Sequence, residues 1–162
     1  MNALQQIRIV VAATVLALVT LFAGCNSIEV FEKNVSIPKY NWLSDFKPSC
    51  KFTITDTTSD YALFLVLRHT DQYRYNNIWI NLGTLAPGDS MRYQRFDIQL
   101  GTDREGWKGT GMGDIWEMRE SITKGPFRFK KPGDYEFSIA HIMRENPLPG
   151  IMSAGIRVEK VK

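Results

Sequence analysis

Histidine and cysteine are scarce, with two of each in 162 residues. His69 and His141 lie far apart, and neither has a histidine, cysteine or acidic neighbour at the spacing that binds zinc or haem. No metal site is expected. No nucleophile with a neighbouring base and no carboxylate pair can be recognised either, so an enzyme is not expected. One-sided charge is lacking as well. Twenty Lys and Arg face 17 Asp and Glu, for a formal net charge of +3. The basic residues are scattered in short pairs rather than gathered in a stripe, which argues against nucleic acid as a partner. Gly109-Thr110-Gly111-Met112-Gly113 superficially resembles a phosphate-cradling loop. The lysine and Ser/Thr of a P-loop are missing, so the glycines read as conformational and no small-molecule substrate is indicated. The chain has no internal repeat and no low-complexity linker.

The N-terminus is more telling. One charge, Arg8, precedes an apolar-to-small run from Ile9 to Ala23 that ends in Leu21-Phe22-Ala23-Gly24-Cys25. A membrane span needs roughly 18 or more apolar residues. This run is shorter and closes on small residues before a cysteine, the pattern of a lipoprotein signal peptide. A retained helical anchor and a plain cleaved signal are the rival readings. On the lipoprotein reading, residues 1–24 are removed. Cys25 then carries covalent diacylglycerol and an N-acyl chain, and no other cofactor is expected. Several acyl chains hold a protein on a membrane firmly, where one binds reversibly. With Cys25 acylated, Cys50 is left alone and no internal disulfide can form. In Cys50-Lys51-Phe52-Thr53-Ile54 it alternates with apolar residues, which suits a small core residue.

Residues 25–48 read as a lipidated tether with a first strand, followed by a turn-rich loop carrying Trp42. Residues 49–162 read as one domain, and there the hydrophobic period is two rather than 3.6. Strands are predicted at Cys50–Thr55, at Tyr61–Arg68 (buried on both faces), at Ile78–Leu82, at Met91–Leu100, from Tyr135 to Met143, and at Gly155–Val161. Pro/Gly/Asp turns separate them. Asp114–Ile122 reads either as a helix capped by Asp114 or as a strand at Ile115–Met118. The expected fold is all-β, an antiparallel β-sandwich of seven to eight strands, immunoglobulin-like or jelly-roll-like. Tyr135, after Pro132-Gly133-Asp134, suits a tyrosine corner, in which the phenol bonds back to nearby backbone.

Candidate sites are few. Trp42 and Trp79 could stack on sugars. Asp114, Trp116 and Arg119 combine charge and an aromatic inside the glycine-rich stretch. They form either an interface anchor or a structural block, in which Asp114 caps a turn and Arg119 pairs with Asp114 or Glu145. Asp56-Thr57-Thr58 and Asp89-Ser90-Met91 fit a short O-glycan acceptor pattern, with Thr57 and Ser90 as acceptors. Side-chain-to-backbone bonding in turns explains the same residues.

Several blocks together resemble a known family. They are Gly109-x-Gly111-x-Gly113-Asp114-Ile115-Trp116 leading to Arg119, then Phe127-x-Phe129-x-x-Pro132-Gly133-x-Tyr135-x-Phe137, then Met143-Arg144-Glu145-x-x-Leu148-Pro149-Gly150-Ile151 and Gly155-Ile156-Arg157-Val158. In order and spacing they resemble the gliding motility lipoprotein GldH family of Bacteroidota. The likeness covers nearly the whole chain after Cys25, and it adds Arg144 and Glu145 to the candidate block. It implies an outer-membrane lipoprotein of the gliding and type IX secretion machinery, partnered by other envelope lipoproteins or outer-membrane proteins. It implies no catalytic residues. Surface export in this phylum tends to follow acidic residues just after the cysteine. Asn26-Ser27-Ile28-Glu29-Val30 has one, which favours the periplasmic leaflet. The alternative, from the loop aromatics, is a carbohydrate-binding envelope lipoprotein.

Overall fold

The structure is a computed structural model that describes residues 30–161. The signal peptide and Cys25 lie outside the described residues. Thirteen strands follow in order: β1 Val30–Ser36, β2 Asn41–Trp42, β3 Ser49–Ile54, β4 Asp60–Thr70, β5 Asn77–Leu85, β6 Arg92–Gln99, β7 Gly101–Thr102, β8 Gly106–Trp107, β9 Thr110–Met112, β10 Ile115–Ser121, β11 Gly133–His141, β12 Leu148–Pro149 and β13 Ile151–Val161. A single turn of 3-10 helix, Pro38–Tyr40, lies between β1 and β2.

Two antiparallel sheets form the body. The first runs β1-β13-β4-β10-β9 and the second β3-β11-β5-β6. Alternation decides which side chains meet between them. Ile78, Ile80 and Leu82 of β5 and Tyr135, Phe137, Ile139 and His141 of β11 point inward and are buried. Leu63, Leu65 and Leu67 of β4, with Ile156 and Val158 of β13, meet them from the first sheet. Tyr135 does form the expected corner, its OH donating to the Lys131 carbonyl at 2.9 Å. This is the expected antiparallel sandwich, with more and shorter strands than the pattern suggested.

Three local readings change and one open choice is decided. Of the two readings of Asp114–Ile122 the strand holds, because β10 pairs along its length with β4 and its start pairs with β9. The Tyr61–Arg68 strand is not sealed on both faces. Ala62 and Phe64 are only half-buried on the outer face, whereas Val66 is fully covered. That strand also runs on past Arg68 to Thr70, which makes His69 its penultimate residue. The expected first strand is present, and the described part of the stretch before residue 49 is built into the fold. From Val30 it is sheet: β1 pairs with β13 from Val30↔Glu159 to Ser36↔Ser153, and Ile37 and Trp42 are buried.

Candidate interaction surface

Inward alternation along β5 forces Trp79 outward, where it is 42% exposed. The chain after β11 brackets its backbone. Ile142 N–H donates to the Trp79 carbonyl at 2.9 Å, and Trp79 N–H donates to Met143 Sδ at 3.3 Å. This brings Ile142, itself exposed, and Met143 beside the indole. Tyr75 arrives from the loop between β4 and β5, and its OH donates to Glu145 Oε2 at 2.9 Å. That bond to a carboxylate raises the phenol above its ordinary value of 10 and keeps it protonated. Glu145 also holds Arg74. Arg95 and Arg144 complete a shallow depression with Tyr75, Asn77 and Trp79. Exposed Trp79, Tyr75 and Ile142 beside half-buried Met143, with arginines at the edge, have the composition of an interface hot spot.

The sequence-derived candidates scatter over the molecule. Trp42 is fully buried. Its Nε1–H donates to the Phe46 carbonyl at 2.8 Å and its ring lies against His141, so it offers no stacking face. The block of Asp114, Trp116, Arg119, Arg144 and Glu145 separates into three places. Asp114 is exposed at the β9–β10 turn and bonds through its backbone, its carbonyl accepting from Asp71 N–H at 3.0 Å. Its side chain caps nothing among the described residues. Trp116 covers Gly111, where a Cβ would crowd the indole, and donates to Asp71 Oδ1 at 2.8 Å. Arg144 and Glu145 lie at the Trp79 face.

Arg119 pairs with neither Asp114 nor Glu145. It lies on the outer face of the first sheet and reaches Glu117 at 2.9 Å and Glu32 at 3.6 Å. Glu32 sits on β1, three strands from β10. Arg157 joins Glu32 at 2.6 Å and also meets Glu159. Burial pushes the Glu32 carboxyl up, but the bonds from Arg157 and Asn34 and the nearby Arg119 outweigh it and hold the pKa below its ordinary value. This lattice escaped sequence reading because its members are far apart along the chain. The one available signal is the alternation of charge on strand positions that face outward.

Thr57 is half-buried in the loop after β3 and Ser90 is exposed in the turn after β5. Asp56, beside Thr57, accepts from Lys160, Ser59 and Thr58, which hold its carboxyl far below the usual range. Both histidines are buried. His69 Nδ1–H donates to the Thr70 carbonyl at 3.1 Å, and its ring meets Trp107 at 4.5 Å. His141 Nε2–H donates to the Trp42 carbonyl at 2.9 Å. Burial lowers both pKa values below 6.5, so both rings are neutral. Among the described residues no three His, Cys, Asp or Glu gather as a metal-binding group.

The molecule is thus an antiparallel β-sandwich with an exposed aromatic and cationic face around Trp79. The sequence profile of the GldH lipoprotein matches residues 29–158, and the chain belongs to the GldH lipoprotein family. The gliding motility lipoprotein GldH homolog of Christiangramia forsetii is 28% identical over 149 residues, covering 88% of this chain and 90% of its own. The gliding motility lipoprotein GldH of Flavobacterium johnsoniae is 27% identical over 152 residues, covering 90% and 92%. A solved structure of the infectious bursal disease virus VP2 subviral particle aligns with 85% of this chain and 34% of its own, at 9% identity and a TM-score of 0.33.

Proposed function

We propose that the protein is a lipid-anchored, non-enzymatic interaction component of the gliding motility machinery and its associated type IX secretion apparatus. It sits in the periplasmic leaflet of the outer membrane, anchored through acylated Cys25, and its partners are other envelope lipoproteins or outer-membrane proteins. The names of the two relatives support the gliding role. The observation that carries the interaction role is the Trp79 face: an exposed tryptophan fixed by its neighbours' backbone and flanked by Tyr75, Arg95, Met143 and Arg144. A second reading, carbohydrate binding, is favoured by the exposed Trp79 ring with Asn77 and Arg95 beside it, and it now rests on Trp79 without Trp42.

One fractionation and co-purification series tests the proposal. Cys25→Ala should leave the outer-membrane fraction. Trp79→Ala should remain in it, keep its thermal midpoint, and no longer bring down envelope proteins in mild detergent. Recovery of the same proteins with Trp79→Ala would remove this face from the account. If glycan binding were lost in Trp79→Ala while protein recovery stayed intact, the second reading would replace the first.

A further inference from the structure

The two sheets are closed along one side and parted along the other. On the β1/β3 side the Phe31 and Phe52 rings meet at 5.0 Å. On the β6/β10 side the sheets part toward the start of β6. Of its inward positions Arg92 and Gln94 are exposed, Phe96 is half-buried and only Ile98 is buried, whereas Ile78, Ile80 and Leu82 of β5 and Tyr135, Phe137 and Ile139 of β11 are all buried. The gap is an open groove of about 520 Å³, within the roughly 300–1,000 Å³ typical of small-ligand sites. Its floor is apolar, with Leu82, Phe96, Ile122 and Phe127. Its rim carries Arg92, Arg128, Lys130 and Lys131 against one carboxylate, Asp89. Arg128 is paired with Asp60 at 2.7 Å and Lys131 with Asp89 at 3.3 Å. Arg92 and Lys130 have no carboxylate partner among the described residues.

The groove opens at a particular end of the molecule. β1 enters at Val30, paired with Glu159, and the same end holds the β4 start, the β11 start and the β6 start. Cys25 lies five residues before Val30, and a fully extended chain of that length spans at most about 18 Å. The groove therefore lies at the end nearest the acylated residue, within reach of a bilayer surface. An apolar floor suits a hydrocarbon chain, and two unpaired cations at its lip suit a phosphate. We propose that this groove binds one anionic phospholipid of the membrane, its acyl chain on the Phe96–Phe127 floor and its phosphate between Arg92 and Lys130. The inference rests on the Cys25 anchor only for orientation.

Native mass spectrometry of the full lipoprotein in detergent tests it, with phosphatidylglycerol and phosphatidylcholine as probes. The wild type should retain one phosphatidylglycerol and little phosphatidylcholine. Arg92→Gln/Lys130→Gln should weaken the phosphatidylglycerol adduct about tenfold or more, the scale of losing two charge-assisted contacts. Phe96→Glu should remove it, and the melting temperature of the double variant should be unchanged, since Arg92 and Lys130 are exposed. Equal adducts from the two lipids, a double variant that binds like wild type, or the absence of an adduct would overturn the proposal. So would displacement by millimolar inorganic phosphate, which would mark a simple anion site, or by an acidic peptide, which would mark a protein groove. The same spectra report the acyl mass on Cys25. A lipidated chain without an adduct contradicts the groove alone, and an unlipidated chain that binds phosphatidylglycerol contradicts the anchor alone.

Discussion

Cys50 shows how one side chain is settled by its surroundings. It is fully buried on β3, and its thiol donates to the Lys33 carbonyl at 3.2 Å, tying the second sheet to β1. Burial pushes its pKa up, so the reactive thiolate is disfavoured twice, by access and by ionisation. Native protein should resist thiol reagents until denaturant is added, and Cys50→Ala should cost about 1–2 kcal/mol in chemical denaturation. Rapid labelling of the native protein would contradict the burial. The histidines act through pH. Their native pKa values lie below 6.5, so the unfolded chain binds protons first as pH falls. The stability they contribute is fully present above about pH 6.5 and is lost progressively below it. Asp56, Glu32 and Glu136, whose pKa values are also lowered, lose theirs in a separate window, below their ordinary values of 3.8 and 4.5. Denaturation midpoints should therefore fall between pH 7.5 and 5.5, and a His69→Gln/His141→Gln variant should flatten that slope. An unchanged slope in the double variant would assign it to other groups.

At the scale of elements, β1 decides how the anchor reaches the fold. It is an edge strand, and its register against β13 depends on Gly155, which sits opposite Asn34. A Cβ there would run into Asn34 Oδ1 and the Lys33 carbonyl. Gly155→Ala should cost about 1–3 kcal/mol through overpacking. Arg119→Ala, which removes a half-exposed charge, should cost about 1 kcal/mol or less. Thermal melts of the two variants check the ranking, and a reversed order would make the Arg119–Glu32–Arg157 lattice the stronger clamp. These elements were unequally legible. β5 and β11 place apolar residues at every second position, because each is buried on one face, and they could be read directly although Trp79 and Ala140 interrupt the polar face. β10 could not, because Ile115, Met118 and Ile122 fit a helical face as well as a strand, and only pairing with β4 decides between them. Trp42 was misplaced because the turn formers around it describe the backbone of its loop and not the hollow under it.

At the scale of the whole molecule, the sandwich is polar from end to end. The anchor side of β1 and the basic groove share one end. The Trp79 face lies toward the other, where β5 begins and β11 ends. A lipoprotein held at the first end presents the second away from its own membrane. Sequence reading singled out Trp79, Arg144 and Glu145 separately but could not join them, because Tyr75, Arg95 and Met143 converge only after the second sheet and its loops are assembled. The central claim, that this far face is where the protein meets its partners, is tested most directly by photo-crosslinking in living cells. A crosslinking amino acid at position 79 is compared with one at position 68, exposed on the outer face of the first sheet. The account predicts a discrete adduct to an envelope protein from position 79 and none from position 68. A silent position 79 beside a productive position 68 would contradict it.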